Sequence, residues 1–293
     1  MAHTADRSFL HLPLAAARLA GVAGRPRAIA MACIALLSGA GWLYLGALAG
    51  VSSPAGPFDW LSALCRPSAV APDHAFAQFM LVFAMWSAMA LAMMLPSAAP
   101  MILTYAEIAD TASAKAEPVV SPVVLAGGYA AVWIAVSFAV AAVQTALQRA
   151  GLAGIAGTTV PGYGAAALFV AAGLYQFSPV KHACLRVCQR PFPFFFANWR
   201  TTVSGVFALG LRQGGHCLGC CWAMMLLMFA TGLMNAVWMA ALGIVMAVEK
   251  LTATPRFSHA VGAVLIAAGL VLAVLHGTGL GAGLAAGIGI GAG

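Results

Sequence analysis

The run Cys217-Leu-Gly-Cys220-Cys221-Trp-Ala-Met224-Met-Leu-Leu-Met228 sets three thiols and two thioethers at helical spacing in a chain with only 7% charged residues. Side chains three and four positions apart meet on a helix, so Cys217, Cys220, Cys221, Met224 and Met228 form a continuous sulfur stripe. Thiolates and thioethers select soft cations, copper(I) first among the first-row metals. Cysteine is also a common buried residue and methionine a common gap-filler, which leaves packing as one alternative and thiol redox chemistry as another. Three cysteines within five positions, continued by methionines, favour the metal.

A second thiol pair, Cys184 and Cys188, lies four residues apart beside Lys181, His182 and Arg186. Nearby cations favour a thiolate over a thiol, and His182 or His216 with these cysteines would equally suit zinc. The methionines tip the choice to copper(I). Six lie between Met80 and Met101 and six between Met224 and Met246. Met85, Met89 and Met93 recur every four residues and so climb one helical face as a ladder.

These residues must be positioned by membrane helices. With 63% hydrophobic residues and a mean hydropathy of +0.96 over 293 residues, the composition excludes an ordinary soluble domain, and long unbroken apolar runs point to helices rather than a barrel. The expected fold is an all-α polytopic bundle of about seven spans, six if the weakest segment fails. The segments are Ala28–Ala49, Phe76–Leu95, Val119–Leu147, Ala165–Phe177, Cys217–Leu233, Ala236–Val248 and His259–Leu275. A basic segment (1–27) precedes one transmembrane domain (28–276), and a glycine-rich tail (277–293) follows. The uncharged run after Arg27 is too long for the core of a cleaved signal peptide and reads as a retained anchor.

The net charge of +7 reports topology, not nucleic-acid binding. Arg7, Arg18, Arg25 and Arg27 precede the first span, and the alternation leaves only Arg66 and Arg149 outside, which predicts a cytoplasmic N-terminus. The polar interval from Pro179 to Gly215 is expected at the membrane surface. Glu249 and Lys250, adjacent at the end of the sixth segment, face different ways and are expected to snorkel to the interface with separate partners. The spans are otherwise free of acidic and basic residues. No phosphate-binding loop, dinucleotide fingerprint, nucleophile elbow or H-E-x-x-H motif occurs, so a carrier is favoured over an enzyme.

Three motifs resemble the bacterial predicted metal-binding integral membrane proteins, a family of unknown function. They are Trp86-x-x-Met89-x-x-x-Met93-Met94-x-Pro96-Ser97, Tyr175-Gln176-x-x-Pro179-x-Lys181-x-x-Cys184-Leu185-x-x-Cys188, and Cys217-x-Gly219-Cys220-Cys221-Trp222 with Gly232-x-Met234-Asn235-x-x-Trp238-Met239 and Glu249-Lys250. The resemblance spans Phe76 to Lys250. After Cys188 the family continues Arg-Ser-Pro where this chain has Gln189-Arg190-Pro191. The resemblance implies a multi-pass protein of the bacterial inner membrane that binds metal.

Together these readings predict a copper(I)-binding membrane protein that transports or delivers the ion. The expected ligands are Cys217, Cys220, Cys221, Cys184, Cys188, Met85, Met89, Met93, Met224, Met228 and His182, with zinc as the alternative metal. The expected partners are the bilayer, the ion, and a metallochaperone or membrane complex. A membrane thiol redox protein or sensor, or a structural subunit of a membrane complex, are the rival functions.

Overall fold

The computed structural model describes residues 31–32, 34–43, 75–115, 117–150, 162–231, 236–252 and 254–278. The basic segment, most of the glycine-rich tail, the flanks of the first apolar segment, and Gly232, Met234 and Asn235 lie outside the described residues. Those described form an all-helical bundle, with no strand among them.

Ten helices are followed here: α1 (Ile34–Leu43), α2 (Ala75–Ala114), α3 (Pro122–Arg149), α4 (Tyr163–Tyr175), α5 (Pro179–Gln189), α6 (Pro191–Ala197), α7 (Val203–Leu226), α8 (Met228–Thr231), α9 (Ala236–Leu251) and α10 (Pro255–Gly277). Four helical stretches are long and apolar enough to cross a membrane: Phe76–Ala114, Pro122–Arg149, Val203–Thr231 and Pro255–Gly277. α4 and α9, with 13 and 16 residues, are apolar but shorter than a span.

Two elements outrun their sequence boundaries. α2 continues through Pro96 and Pro100 to 40 residues, about 60 Å at 1.5 Å per residue, twice the roughly 30 Å hydrocarbon layer. Proline at 96 withholds the N–H that would bond the Ala92 carbonyl. That oxygen instead accepts Ser38 Oγ and Trp42 Nε1 of α1, each at 3.1 Å, so the break that would end a helix becomes a docking point. α7 begins at Val203, well before Cys217, because the Thr202 hydroxyl accepts the Gly205 N–H as an N-cap. The interval from Pro179 to Gly215 therefore holds α5, α6 and the first half of α7.

Glycine sets the helix spacing in two places. α3 and α7 run parallel, and a β-carbon on Gly128 would meet the Phe207 carbonyl while one on Gly210 would meet that of Leu125. α4 and α10 pack antiparallel, with Gly173 against the Gly262 carbonyl and Gly269 against that of Ala166. Small residues permit such backbone approach between apolar helices. Gly219 gives close contact with Cys184 of α5, whereas Gly215 faces open space. Gly210→Ala is expected to cost about 1–3 kcal/mol through overpacking, read as a lower unfolding midpoint in detergent. Gly215→Ala is the control, at or slightly above wild type because alanine favours helix.

Candidate metal centre

One turn of α7 brings Cys217, Cys220 and Cys221 to one side, where their sulfurs lie within 4.8 Å of one another and all three residues are buried. Cys220 and Cys221 Sγ are 3.3 Å apart, and the Cys220 thiol also donates to the Cys217 carbonyl at 3.2 Å. A first-row ion bound by three thiolates at about 2.3 Å holds its sulfurs roughly 4 Å apart, so small side-chain rotations suffice to admit one. The donor set is all sulfur, which fits a soft cation.

Three other helices complete the pocket. Lys250 Nζ of α9 lies 3.1 Å from Cys217 Sγ and 2.6 Å from Ser97 Oγ of α2. The Tyr129 hydroxyl of α3 is 2.9 Å from the same sulfur and 3.1 Å from the Met94 carbonyl. That carbonyl accepts the Tyr129 hydroxyl and, on its second lone pair, the Ser97 hydroxyl at 2.8 Å. One thiol thus faces an ammonium and a phenol in a dry interior, the environment of an anion. The ammonium supplies the positive charge that a bound metal ion would also bring.

Glu249, the preceding residue, turns to α5. Lys181 Nζ reaches both its carboxylate oxygens, at 2.9 and 2.8 Å, and also donates to Gln176 Oε1. Lys181, Glu249 and Lys250 are 0%, 2% and 7% exposed. The snorkelling expected for the Glu249-Lys250 pair is therefore corrected: the two do point apart, but both inward, since each finds a charged or sulfur partner in the core. α9 is also not free of acidic and basic groups, for the same reason. Gln189 Nε2 closes the end of α9 by donating to the carbonyls of Glu249 and Thr252 at 2.8 and 2.5 Å.

The second thiol pair meets the first. Cys184 Sγ sits 2.6 Å from where a β-carbon of Gly219 would be, and Cys188, one turn further on, packs against the buried core that holds the trio. Gly219 thus leaves room for a sulfur of α5. Both α5 cysteines are half-buried, whereas the α7 trio is enclosed. Burial pushes the Cys184 thiol up, against the expected thiolate; the nearest lysine, Lys181, is spent on Glu249. His182 lies about 200° round the helix from Cys184, and its ring stands edge-on to that of His259, centroids 5.2 Å apart. Burial, with His259 and Lys181 adding to it, holds this imidazole below its usual value.

The methionines expected as ligands sit in the core. Met85, Met89, Met93 and Met228 are buried, with Met93 against Gly243 of α9. Met224 Sδ accepts Gln176 Nε2 at 3.0 Å, a bond that fixes the thioether one turn beyond Cys221. Ser97, Tyr129 and Lys250 escaped recognition as site residues. Ser97 and Lys250 stand in motifs shared with the resembled family, and that was their only signal.

No curated protein and no solved structure matches the chain. The family model of PpoB2, described as a copper chaperone, matches residues 83–272, a stretch that holds α3 to α9, most of α2 and α10, and every residue of the centre. The chain belongs to the PpoB2 copper chaperone family.

Proposed function

We propose that this is an integral membrane protein that holds copper(I) at Cys217, Cys220 and Cys221 and delivers it to a partner. The observation that carries the reading is the convergence of three buried thiols with the Lys250 ammonium on Cys217. Thiolate ligands offset the ion's charge, which lowers the cost of holding it in a low dielectric. The methionine ladder Met85, Met89 and Met93, with Met224 and Met228, offers neutral and weaker donors along which the ion passes within the bundle. The membrane placement rests on the four long apolar helices. The family resemblance supports a bacterial inner-membrane protein, and the distribution of basic residues supports a cytoplasmic N-terminus in a chain of about seven spans. The centre then lies on the cytoplasmic side, with α5 and α6 at the membrane surface.

The test is anaerobic purification of wild type and the triple variant Cys217→Ser/Cys220→Ser/Cys221→Ser, each challenged with copper(I) and with zinc against a chelator. Wild type is expected to retain copper(I) and the triple variant none. Zinc retained in place of copper would reassign the metal, and an empty wild type would end the reading.

A further inference from the structure

The α7 thiols are sealed in, yet a chaperone must load and unload. We infer that Cys184 and Cys188 of α5 are the exchange port of this centre, and that the port takes copper(I) from, or returns it to, an anionic bis-thiolate copper(I) complex. The inference rests on the copper reading above and adds the route and the chemistry of the carrier.

Three observations point there. Cys184 lies on Gly219, next to Cys220, and Cys188, one turn further along α5, packs against the same buried core as the trio, so the half-buried pair adjoins the enclosed thiols and leads inward to them. The outer face of α5 and its continuation carry Arg186, Arg190 and Arg200, all exposed. No acidic residue occurs between Glu117 and Glu249, and Glu249 is neutralised inside by Lys181. The exposed Arg186 and Arg190, each two residues from Cys188 along the chain, therefore place positive charge beside the port, and such charge acts over roughly a Debye length of 10 Å. A copper(I) ion held by two thiolates carries one net negative charge, and such a field raises its encounter rate.

The transfer is a ligand exchange without redox change. A Cu–S bond forms to Cys188 as one carrier Cu–S bond breaks, and the Cys188 proton goes to the departing carrier thiolate. A second exchange forms the Cu–S bond to Cys220 as the remaining carrier Cu–S bond breaks, the Cys220 proton going to that carrier thiolate, and Cys217 or Cys221 then displaces Cys188 from the ion, its proton passing to the Cys188 sulfur. Copper stays in the +1 state throughout.

Loading kinetics of the full chain in nanodiscs, under anaerobic conditions, test this with two donors: the anionic copper(I) bis-glutathione complex and the cationic copper(I) acetonitrile complex. Cys184→Ser/Cys188→Ser is expected to slow loading from both donors at least tenfold, because the enclosed thiols lie behind the pair, whereas Arg186→Gln/Arg190→Gln is expected to slow loading from the anion alone. Wild-type loading from the anion is expected to fall as salt rises, and Arg186→Gln/Arg190→Gln to lose that salt dependence. Unslowed loading of the cysteine variant from either donor would overturn the port, and salt dependence kept by the arginine variant would overturn the anionic carrier. A wild type that keeps copper from neither donor would instead overturn the copper centre itself, so the two failures are distinguishable.

Discussion

Glu249→Ala is expected to destabilise the bundle by about 3–5 kcal/mol, the cost of leaving a buried ammonium without its carboxylate. The Lys181 ammonium is fully enclosed and its other hydrogen-bond partner is the neutral Gln176 side chain. Glu249 is its charge partner at 2.8 Å, and the chain has no second acidic residue beyond Glu117 to replace it. Removing Lys181 as well tests whether the penalty is the orphaned charge. Lys181→Met/Glu249→Leu, apolar at both positions, is expected to recover most of the loss, because replacing both members of a buried pair is often neutral. Unfolding midpoints of wild type and the two variants in detergent make the comparison; Glu249→Ala within about 1 kcal/mol of wild type would mean that water reaches the pair.

The ion pair also explains why α5 carries cysteines in register with α7. Lys181 ties the first turn of α5 to the end of α9, Gln189 ties its last turn to the same end, and Cys184 and Cys188 fall between the two ties. Through Lys250, the end of α9 reaches the centre as well. Adjacent residues on α9 thus fix the port helix and the metal thiols from one point.

How much of this the sequence reveals depends on the range of each interaction. The sulfur stripe is local: Cys217, Cys220 and Cys221 converge because one helical turn makes them neighbours, and their spacing shows it. The apolar runs likewise mark where helices lie. Boundaries failed where a tertiary contact replaced a local rule. Pro96 ends a helix by propensity, but the α1 donors at Ser38 and Trp42 satisfy the carbonyl it frees. The charged groups failed for the same reason. Lys250 reaches Ser97 across 153 residues and Lys181 reaches Glu249 across 68, so no pattern within either helix distinguishes a buried partner from a snorkelling side chain. That the two cysteine groups meet also required the packing of α5 on α7, with Gly219 leaving the space.

Cys217→Ser is expected to have two separate effects, and their separation identifies the role of Lys250. In the empty protein the variant leaves the Lys250 ammonium facing neutral hydroxyls in a buried site, at a cost of about 2–4 kcal/mol. Lys250→Met is expected to cost less, about 1 kcal/mol, because the sulfur it abandons can keep its proton and stay neutral. Cys217→Ser/Lys250→Met is expected to be more stable than Cys217→Ser alone, since the orphaned charge is gone. The second effect concerns the ion. A ligand that binds only the folded state stabilises it by RT ln(1 + [L]/Kd), about 4 kcal/mol at a thousandfold excess over Kd. Wild type should show such a rise in unfolding midpoint on copper(I) addition, while both variants carrying Cys217→Ser should show almost none. A full copper-induced shift in Cys217→Ser/Lys250→Met would mean that the ion is held without this sulfur and that the Lys250 contact belongs to folding alone.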